Sequence, residues 1–391
     1  MKRVLIVAGE ASADLHGAHV VKRLKRSYPE VELFGLGGER MVKEGFVALA
    51  RAEEVSVMGL TEVIRALPRI WRIARHLVAD ARRSPPVAAL LLDLPDFNLR
   101  LARRLKALGV PVIYYISPQV WAWRKRRVRQ IARVVDRMLV ILPFEEEFYR
   151  QHGVEARFVG HPLLEELGVA SAEQAVAVPS RFRDLALAPQ EAEPVVALLP
   201  GSRGGEVERH LPVLLAAAAK VRAAIPQVRF LLPIASAALR ARIEAHVRGC
   251  DVPLELCDQG ASQAVIRADA AAVCSGTASL QTALLGVPLV VFYRVSWLTY
   301  CFYRLLVRVG SISLVNLIAE KKIITELIQA DFTASRLAGE LIELLTNSDR
   351  RGVMSEALAV LRARLGKRVA SEEVAAVIAN YLRMDDMNVP E

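Results

Sequence analysis

The sequence predicts an α/β protein with two similar domains, each built on a parallel, doubly wound sheet. Short apolar segments of strand length alternate with helical segments along most of the chain, which is the pattern of such sheets. Two of these segments, residues 4–8 and 195–199, each lead into a turn of small residues and then into a helix. The chain has 391 residues, 53% of them hydrophobic, and is therefore long enough for two cores.

Buried strands are predicted where apolar residues run together between turn signals. In the first half they are residues 4–8, 32–36, 88–92, 112–116 and 138–142, and in the second half residues 195–199, 230–234, 254–256, 270–274 and 289–293. A stretch rich in Ala, Glu and Pro between the halves predicts a linker. The predicted division is a first domain at 1–165, a linker at 166–193, a second domain at 194–365 and a terminal segment at 366–391, whose acidic end from Met384 is loose.

Charge and cysteine content narrow the class of protein. The net charge of +10 leaves nucleic acid, anionic lipid and phosphorylated substrates open as partners. The four cysteines show neither CxxC spacing nor a nearby histidine pattern, which predicts free thiols in a reducing cytoplasm. The uncharged run at 270–293 contains glycine, proline and hydroxyl residues, so we expect core strand, helix and loop there and not a membrane span.

Two turns in the second half are candidate anion sites. Residues 198–209 have the pattern of strand, glycine turn and helix, in which Gly201 and Gly204 let the backbone approach a ligand. A helix N-terminus favours phosphate, and Arg203 adds a fork of donors. A second helix opens in the same way at residues 275–281. Two such turns in one domain fit a nucleotide diphosphate, whereas the alternative is ordinary turn geometry and unoccupied helix caps.

Signatures of other cofactors do not occur in the sequence. It has no GxGxxG followed by a ribose-binding acid and no GxxxxGK[ST], which argues against nicotinamide chemistry and ATP hydrolysis. It also has no DxD-like pair and no His/Asp cluster typical of a metal site. We therefore expect neither cofactor nor metal, and charge on a leaving diphosphate would be met by Arg203 and helix N-termini.

Polar residues follow several predicted strands of the first half, where the ligands of a doubly wound sheet bind. Asp93 and Asp96 stand with Asn98 at the end of one strand, and either carboxylate could act as a general base. The alternative is that one of them caps the helix that follows. The turns at 9–14 and 117–123 end neighbouring strands, so their side chains are expected at the same edge.

A basic amphipathic helix is predicted at residues 60–78. Such a helix is typical of binding to a membrane surface. The alternative is a surface helix that packs its apolar stripe on the sheet. The apolar face includes Leu67, Ile70 and Trp71, and the basic positions off that face include Arg69 and Arg72.

Aromatic and basic residues also alternate at 121–127 and 297–309. This mixture suits stacking on nucleic acid as well as contact with lipid. No nucleic-acid-binding module is visible, and the aliphatic residues around both clusters favour lipid. Nucleic acid is therefore not expected as a partner.

Six motifs, in order along nearly the whole chain, resemble those of the lipid-A-disaccharide synthase family. They are GEAS at 9–12, DLPDFN at 93–98, SPQVWAW at 117–123, LLPGSRGGE at 198–206, SGTA at 275–278 and NLIA at 316–319. The resemblance implies a GT-B fold, with two Rossmann-like domains facing across a cleft and the last helix crossing back to the first domain. It further implies an inverting, metal-independent transfer from UDP-2,3-diacylglucosamine to 2,3-diacylglucosamine 1-phosphate (lipid X), which yields UDP and a β-1,6-linked disaccharide in lipid A biosynthesis.

The same resemblance implies roles for individual residues. Asp93 becomes the preferred base for the acceptor hydroxyl, with Asp96 second. The UDP-sugar would be bound by Gly201, Ser202, Arg203, Gly204, Ser275, Gly276, Thr277, Gln281 and Asn316. The acceptor side would be lined by Gly9, Glu10, Ser12, Asp14, Asn98, Ser117, Trp121 and Trp123. The basic helix would meet acyl chains and the inner leaflet, so the implied location is peripheral on the cytoplasmic face of the inner membrane; a homodimer is left open.

Four residues depart from the family motifs. Ala13 occupies the position of a glycine in the family motif GEASGD, and Gln281 occupies that of the glutamate after SGTxxL. Thr325 replaces the proline of the motif VPE, and Val315 interrupts the motif SLPN. These departures bear on donor binding, because a neutral amide gives up the charge assistance of a carboxylate. Two alternatives to the implied enzyme therefore stay open. One is a GT-B relative using another UDP-sugar, or a sugar-nucleotide epimerase, and the other is a non-catalytic lipid-binding homologue.

Overall fold

The computed structural model describes residues 1–55, 60–123, 127–168, 193–296, 311–366 and 368–387. The side chains of residues 60–65, 122–123 and 386–387 lie outside this description. The chain divides into two compact units, a first unit of Met1–Glu166 with Lys367–Glu391 and a second unit of Leu167–Gly366. Most of the stretch predicted as a linker lies outside the described residues.

The first unit contains a seven-stranded parallel sheet with helices on its faces. The strand order is β3-β2-β1-β4-β5-β6-β7. The strands are β1 Arg3–Ala8, β2 Glu32–Gly37, β3 Val47–Arg51, β4 Ala88–Leu92, β5 Val112–Tyr115, β6 Arg137–Val140 and β7 Ala156–Phe158. The helices are α1 Ala11–Ser27, α2 Glu39–Lys43, α3 Leu60–Arg83, α4 Pro95–Lys106, α5 Val120–Trp123, α6 Arg127–Val134, α7 Pro143–Arg150 and α8 Pro162–Glu166.

The second unit contains a six-stranded parallel sheet of order β10-β9-β8-β11-β12-β13. Its strands are β8 Val195–Leu199, β9 Arg229–Pro233, β10 Leu254–Cys257, β11 Ala270–Cys274, β12 Leu289–Tyr293 and β13 Thr325–Ile328. Its helices are α9 Gly204–Ala224, α10 Ala237–Val247, α11 Ala261–Ile266, α12 Thr277–Leu284, α13 Leu314–Ala319, α14 Ala334–Thr346 and α15 Ser348–Arg364. The predicted α/β class with two parallel sheets is confirmed.

The last helix, α16 Ala370–Met387, belongs to the first unit although it follows the second in the chain. Its apolar face completes the core on one side of the first sheet, where Val374 and Ile378 are fully buried in one cluster with Val4 and Ile6 of β1. The helix extends to Met387, so residues 384–387, which were predicted as part of a loose tail, are helical.

Each sheet reverses its strand order at one point. In the first sheet β1 lies between β2 and β4, with Val4 aligned to Leu33 on one side and to Ala88 on the other. In the second sheet β8 lies in the same way between β9 and β11. Ligands of open α/β sheets bind beyond the carboxyl ends of the strands at such a point. The turns after β1 and β4, and those after β8 and β11, are therefore where a site is expected.

All ten predicted strands are present, and three further strands, β3, β7 and β13, were not predicted. β3, β7 and β13 lie at sheet edges. Their residues are mostly half-buried, so their sequences lack the continuous apolar run of a central strand. The apolar run that reveals a buried strand is therefore weak at these three places in the chain.

Candidate active site

The turn after β4 holds Asp93 in a strained backbone. Asp93 and Leu94 have φ angles of 48° and 44°, the left-handed region that non-glycine residues seldom adopt. The Asp93 carbonyl accepts a 2.8 Å hydrogen bond from Nδ2 of Asn98 and another from the Tyr114 hydroxyl. The Asp93 N–H donates to the carbonyl of Tyr115 at 3.1 Å. Three partners thus fix the backbone of the residue predicted as the base.

The turn after β1 lies against this strained turn. Gly9 leaves the space that Leu94 fills, since a Cβ at Gly9 would lie 2.6 Å from Leu94 Cδ2. Burial, and to a lesser extent the negative charge of Glu10, raise the pKa of Asp93 to about 6, although the Leu94 backbone N–H acts to lower it. A carboxylate that titrates near neutrality can accept a proton at physiological pH, which is what a general base requires.

The second carboxylate of the motif has a different environment. Asp96 is 73% exposed and forms an ion pair with Arg127 at the start of α6. It lies in the first turn of α4, where a negative charge stabilises the helix N-terminus. The geometry therefore separates the two candidates, with Asp93 half-buried and Asp96 paired at the surface.

Asp14 is a buried residue with a structural role. Its Oδ1 accepts from the backbone N–H of Gly38 at 2.8 Å and of Met41 at 3.2 Å, and its Oδ2 accepts from Arg40 N at 3.2 Å. The carboxylate thus caps α2 from the adjacent helix α1. Asp14 was predicted from the sequence to line the acceptor side of the site. In the structure both of its carboxylate oxygens accept hydrogen bonds from backbone N–H groups. Glu10 and Ser12 are exposed in the same turn.

A buried carboxyl group organises the turn that contains Ser117 and Trp121. The indole Nε1 of Trp121 donates to Oε1 of Glu145 at 3.0 Å, and Leu142 N donates to Oε2 at 3.1 Å. Burial raises the pKa of Glu145 to about 7, although these hydrogen bonds lower it. Ser117 Oγ lies 2.7 Å from the Tyr149 hydroxyl in the same cluster. Sequence reasoning missed Glu145, and the Trp123 side chain lies outside the described residues.

In the second unit the two predicted anion turns line one cavity of about 360 Å³. Gly201 has a φ of 117°, a conformation that favours glycine, and a Cβ there would lie 2.4 Å from Glu206 Oε2. Arg203 lines the cavity and contributes a positive charge, and its side chain is 73% exposed. The predicted residues that share the cavity are Gly201, Ser202, Arg203, Ser275, Gly276 and Thr277.

Glu206 occupies part of the first anion turn. Its Oε2 accepts from the backbone N–H of Ser202 at 3.1 Å and of Arg203 at 3.2 Å, and its other oxygen lies 3.5 Å from the Arg203 guanidinium. This is a capping-box contact at the start of α9. Sequence reasoning assigned these N–H groups to phosphate and did not foresee that a carboxylate three residues on would bind them.

Two residues that were predicted to bind the UDP-sugar, Gln281 and Asn316, form side-chain hydrogen bonds within the protein. Gln281 Nε2 donates to Ser262 Oγ at 2.6 Å, which ties α12 to α11. Asn316 is buried; its Nδ2 donates to Ile324 O and to Glu326 Oε1, and its Oδ1 accepts from the N–H groups of Ile323 and Ile324. Every hydrogen-bonding group of Asn316 is thus used to anchor the start of β13, which differs from its predicted contact with UDP.

Helix α3 both packs on the unit and leaves apolar residues in solvent. Ala66, Ile73 and Leu77 are buried, whereas Leu67 and Trp71 are 39% and 42% exposed. The basic residues Arg69 and Arg72 are exposed. The buried stripe overlaps only partly with the face that was predicted to be apolar, so the packing and the surface alternatives each describe part of the helix. Residues 297–309, the other predicted aromatic and basic segment, lie outside the described residues.

Two other kinds of feature are absent from the described residues. These residues contain no group of three or more His, Cys, Asp or Glu side chains arranged to hold a metal ion. None of the helices in this part of the chain is long and apolar enough to cross a membrane. Cys250, Cys257 and Cys274 are free thiols.

Two Rossmann-like sheets, each with polar turns at its switch point, define a protein of the GT-B fold class. Solved structures with the same fold include the glycotransferase of kitacinnamycin, with a TM-score of 0.64, 15% identity and coverage of 97% of this chain and 98% of that one. They also include a UDP-GlcNAc 2-epimerase from Neisseria meningitidis bound to UDP-GlcNAc, with a TM-score of 0.64, 11% identity and coverage of 97% and 100%.

Sequence comparison identifies the family. The model of the lipid-A-disaccharide synthetase family matches residues 4–379. A lipid-A-disaccharide synthase of Anaeromyxobacter dehalogenans (strain 2CP-C) is 46% identical over 382 residues, which cover 97% of this chain and 98% of the relative. The enzyme of Myxococcus xanthus (strain DK1622) is 45% identical over 380 residues, covering 97% of each. This chain belongs to the lipid-A-disaccharide synthetase family, and the predicted glycosyltransferase class is confirmed.

Proposed function

We propose that the protein transfers 2,3-diacylglucosamine from its UDP ester to the 6-hydroxyl of 2,3-diacylglucosamine 1-phosphate. The acceptor oxygen forms a bond to C1 of the donor sugar, and the bond between C1 and the diphosphate oxygen breaks. The hydroxyl proton passes to Asp93, and the electron pair of the broken bond leaves with UDP. Attack from the face opposite the leaving group inverts C1 and gives the β-1,6 linkage.

The observation that carries this proposal is the environment of Asp93. Its pKa of about 6 leaves most of the carboxylate ionised at neutral pH while keeping it basic enough to accept a proton. The left-handed turn and its hydrogen bonds from Asn98 and Tyr114 keep the residue in one place. A base that is held rigidly costs less to orient during the reaction than a mobile one.

The cavity of the second unit supports binding of the UDP part. Arg203 supplies a full positive charge, and the N-terminus of α12 at Gly276 and Thr277 supplies backbone donors and a partial positive charge. These groups stabilise the negative charge that develops on the departing diphosphate. Glu206 holds the turn that carries Arg203, and its own negative charge directs the diphosphate toward the α12 side of the cavity.

The exposed part of α3 supports peripheral binding to the cytoplasmic face of the inner membrane. Leu67 and Trp71 would enter the interfacial region, and Arg69 and Arg72 would pair with anionic headgroups. Co-sedimentation with vesicles containing phosphatidylglycerol tests this: Trp71→Ser should bind more weakly than Val353→Ser, which removes a 69% exposed apolar residue from α15. Equal binding of the two variants would contradict the assignment.

The reaction is tested with purified protein and the two lipid substrates. UDP release accompanied by a tetraacyl disaccharide 1-phosphate is expected from the wild type and from Asp96→Asn. Asp93→Asn, which keeps the size of the side chain, should form no product. Activity retained in Asp93→Asn but lost in Asp96→Asn would transfer the base to Asp96, and UDP release without a disaccharide would contradict the proposed reaction.

A further inference from the structure

A cavity of about 420 Å³ lies between α3 and α4 of the first unit, beside the strained turn. Its apolar walls include Leu67 and Trp71 of α3 and Phe97 of α4. Leu94 and Asp96, which stand on either side of Pro95 just after the proposed base, also line it. Its volume falls in the range of about 300–1,000 Å³ found for small-molecule sites. The cavity thus adjoins the turn at which the acceptor must react.

Two cationic side chains share this apolar cavity. The guanidinium carbons of Arg100 and Arg104 lie 5.8 and 5.3 Å from the centroid of the Trp71 ring. Within the described residues no carboxylate pairs with either guanidinium, and the acidic residue of the lining, Asp96, pairs with Arg127 instead. The cavity therefore combines an apolar surface with two guanidinium groups that form no ion pair with a carboxylate in the described part of the chain.

The chemistry of this cavity fits a ligand that carries both a hydrocarbon chain and an anion. Planar guanidinium groups bind phosphate oxygens with two parallel hydrogen bonds. The Trp71 ring lies within cation–π distance of both guanidinium groups. Of the two proposed substrates only the acceptor carries a phosphate monoester. The phosphates of the donor form its diphosphate link to uridine, whose proposed site is in the second unit.

We propose that the cavity takes an acyl chain of the acceptor and that Arg100 and Arg104 bind the acceptor's phosphate. This inference rests on the proposed function and adds the site of acceptor recognition to it. The phosphate is remote from the hydroxyl that reacts, so both arginines contact it equally in the ground state and the transition state. Contacts of this kind change KM for the acceptor and leave kcat nearly unchanged.

Equilibrium binding of radiolabelled acceptor to the purified protein in detergent micelles, without donor, tests the site directly. The variants are Arg100→Ala and Arg104→Ala. Arg103→Ala is the matched control, because Arg103 is exposed on the same helix and does not line the cavity. Each cavity variant should bind the phosphorylated acceptor about tenfold or more weakly. Binding of a dephosphorylated acceptor should be nearly unchanged, and Arg103→Ala should behave as the wild type.

Three results would overturn the proposal. An equal loss in Arg103→Ala would show an effect of overall charge. Equal losses for the phosphorylated and dephosphorylated acceptors would show that the arginines do not recognise the phosphate. Weaker binding to phosphatidylglycerol vesicles, with unchanged preference for the phosphorylated acceptor, would assign the arginines to membrane headgroups. The binding assay contains no donor, so its result is independent of the reaction. If the variants showed the expected binding pattern but the wild type formed no disaccharide in the assay with both substrates, the proposed reaction would be contradicted and the acceptor site would still be supported.

Discussion

The side-chain amide of Asn98 donates a 2.8 Å hydrogen bond to the backbone carbonyl of Asp93. The same nitrogen donates to the carbonyl of Leu92 at 3.0 Å, so one fully buried side chain joins the end of β4 to the left-handed turn. A non-glycine residue in that conformation costs about 1–3 kcal/mol. Asn98 offsets this cost locally, and the position of the proposed base therefore depends on a residue that need not touch a substrate.

Replacing Asn98 by alanine should impair the chemical step more than donor binding. We expect Asn98→Ala to lower kcat roughly 10- to 100-fold because the base is displaced, and to lower stability by about 1–3 kcal/mol because two carbonyls lose a donor. Steady-state kinetics and urea unfolding measure the two effects. Asn347→Ala, which removes the cap of α15, should lose about 1 kcal/mol of stability and keep its kcat. A normal kcat in Asn98→Ala would contradict the positioning role.

The pH profile should report the environment of Asp93. Because the deprotonated form is the base, kcat/KM should rise through about pH 6 and level off above it. Glu10→Gln removes a like charge that raises the pKa of Asp93, so its inflection should move to lower pH. Glu30→Gln, a change in the exposed turn before β2, serves as the control and should leave the inflection in place. Identical profiles for all three proteins would exclude Glu10 as a cause.

Glu145 should make the stability of the protein depend on pH. Its pKa is raised from 4.5 to about 7 by burial, so between these values the folded chain holds a proton that the unfolded chain has released. This contribution is full below about pH 4.5 and is lost as the pH rises through about 7. In Glu145→Gln the free energy of unfolding should therefore fall less between about pH 5 and about pH 8. Glu147→Gln on the same helix, where the carboxylate is largely exposed, should follow the wild type.

Arg203 should act on the donor. We expect Arg203→Ala to raise the donor KM about tenfold or more, because a charge-assisted contact to the diphosphate is lost, and to reduce the salt dependence of that KM. Lys220→Ala removes the same charge from an exposed position further along α9 and should change neither quantity. If the two variants had equal donor KM values, the assignment of Arg203 to the diphosphate would fail.

Much of the fold and the two turns of the donor cavity could be predicted from sequence because their signals are local. A central strand of a parallel sheet is apolar along its length, and the glycine turns after β8 and β11 stand directly at the ends of such strands. Residues 201–203 and 275–277 were therefore predicted together and do share one cavity.

The roles of polar side chains were harder to predict because they depend on partners far away in the chain. Asp14 caps a helix that begins 25 residues later, and Asn316 is anchored by Glu326 across a turn. Glu145 is an ordinary residue of an acidic helix in sequence, and only the tertiary structure reveals that it is buried and accepts a hydrogen bond from the Trp121 indole. Hydrogen-bond capacity is visible in a sequence, whereas the group that satisfies it is a property of the tertiary structure.

The placement of α16 has a consequence for the order in which the protein folds during synthesis. The sheet of the first unit is synthesised before the second unit, whereas the helix that packs with Val4 and Ile6 is synthesised after it. Domains generally fold as units while the chain is being made. The second unit can therefore reach its native state on the ribosome while the first still exposes an apolar face, so nascent chains that stop near residue 366 should be strong chaperone substrates.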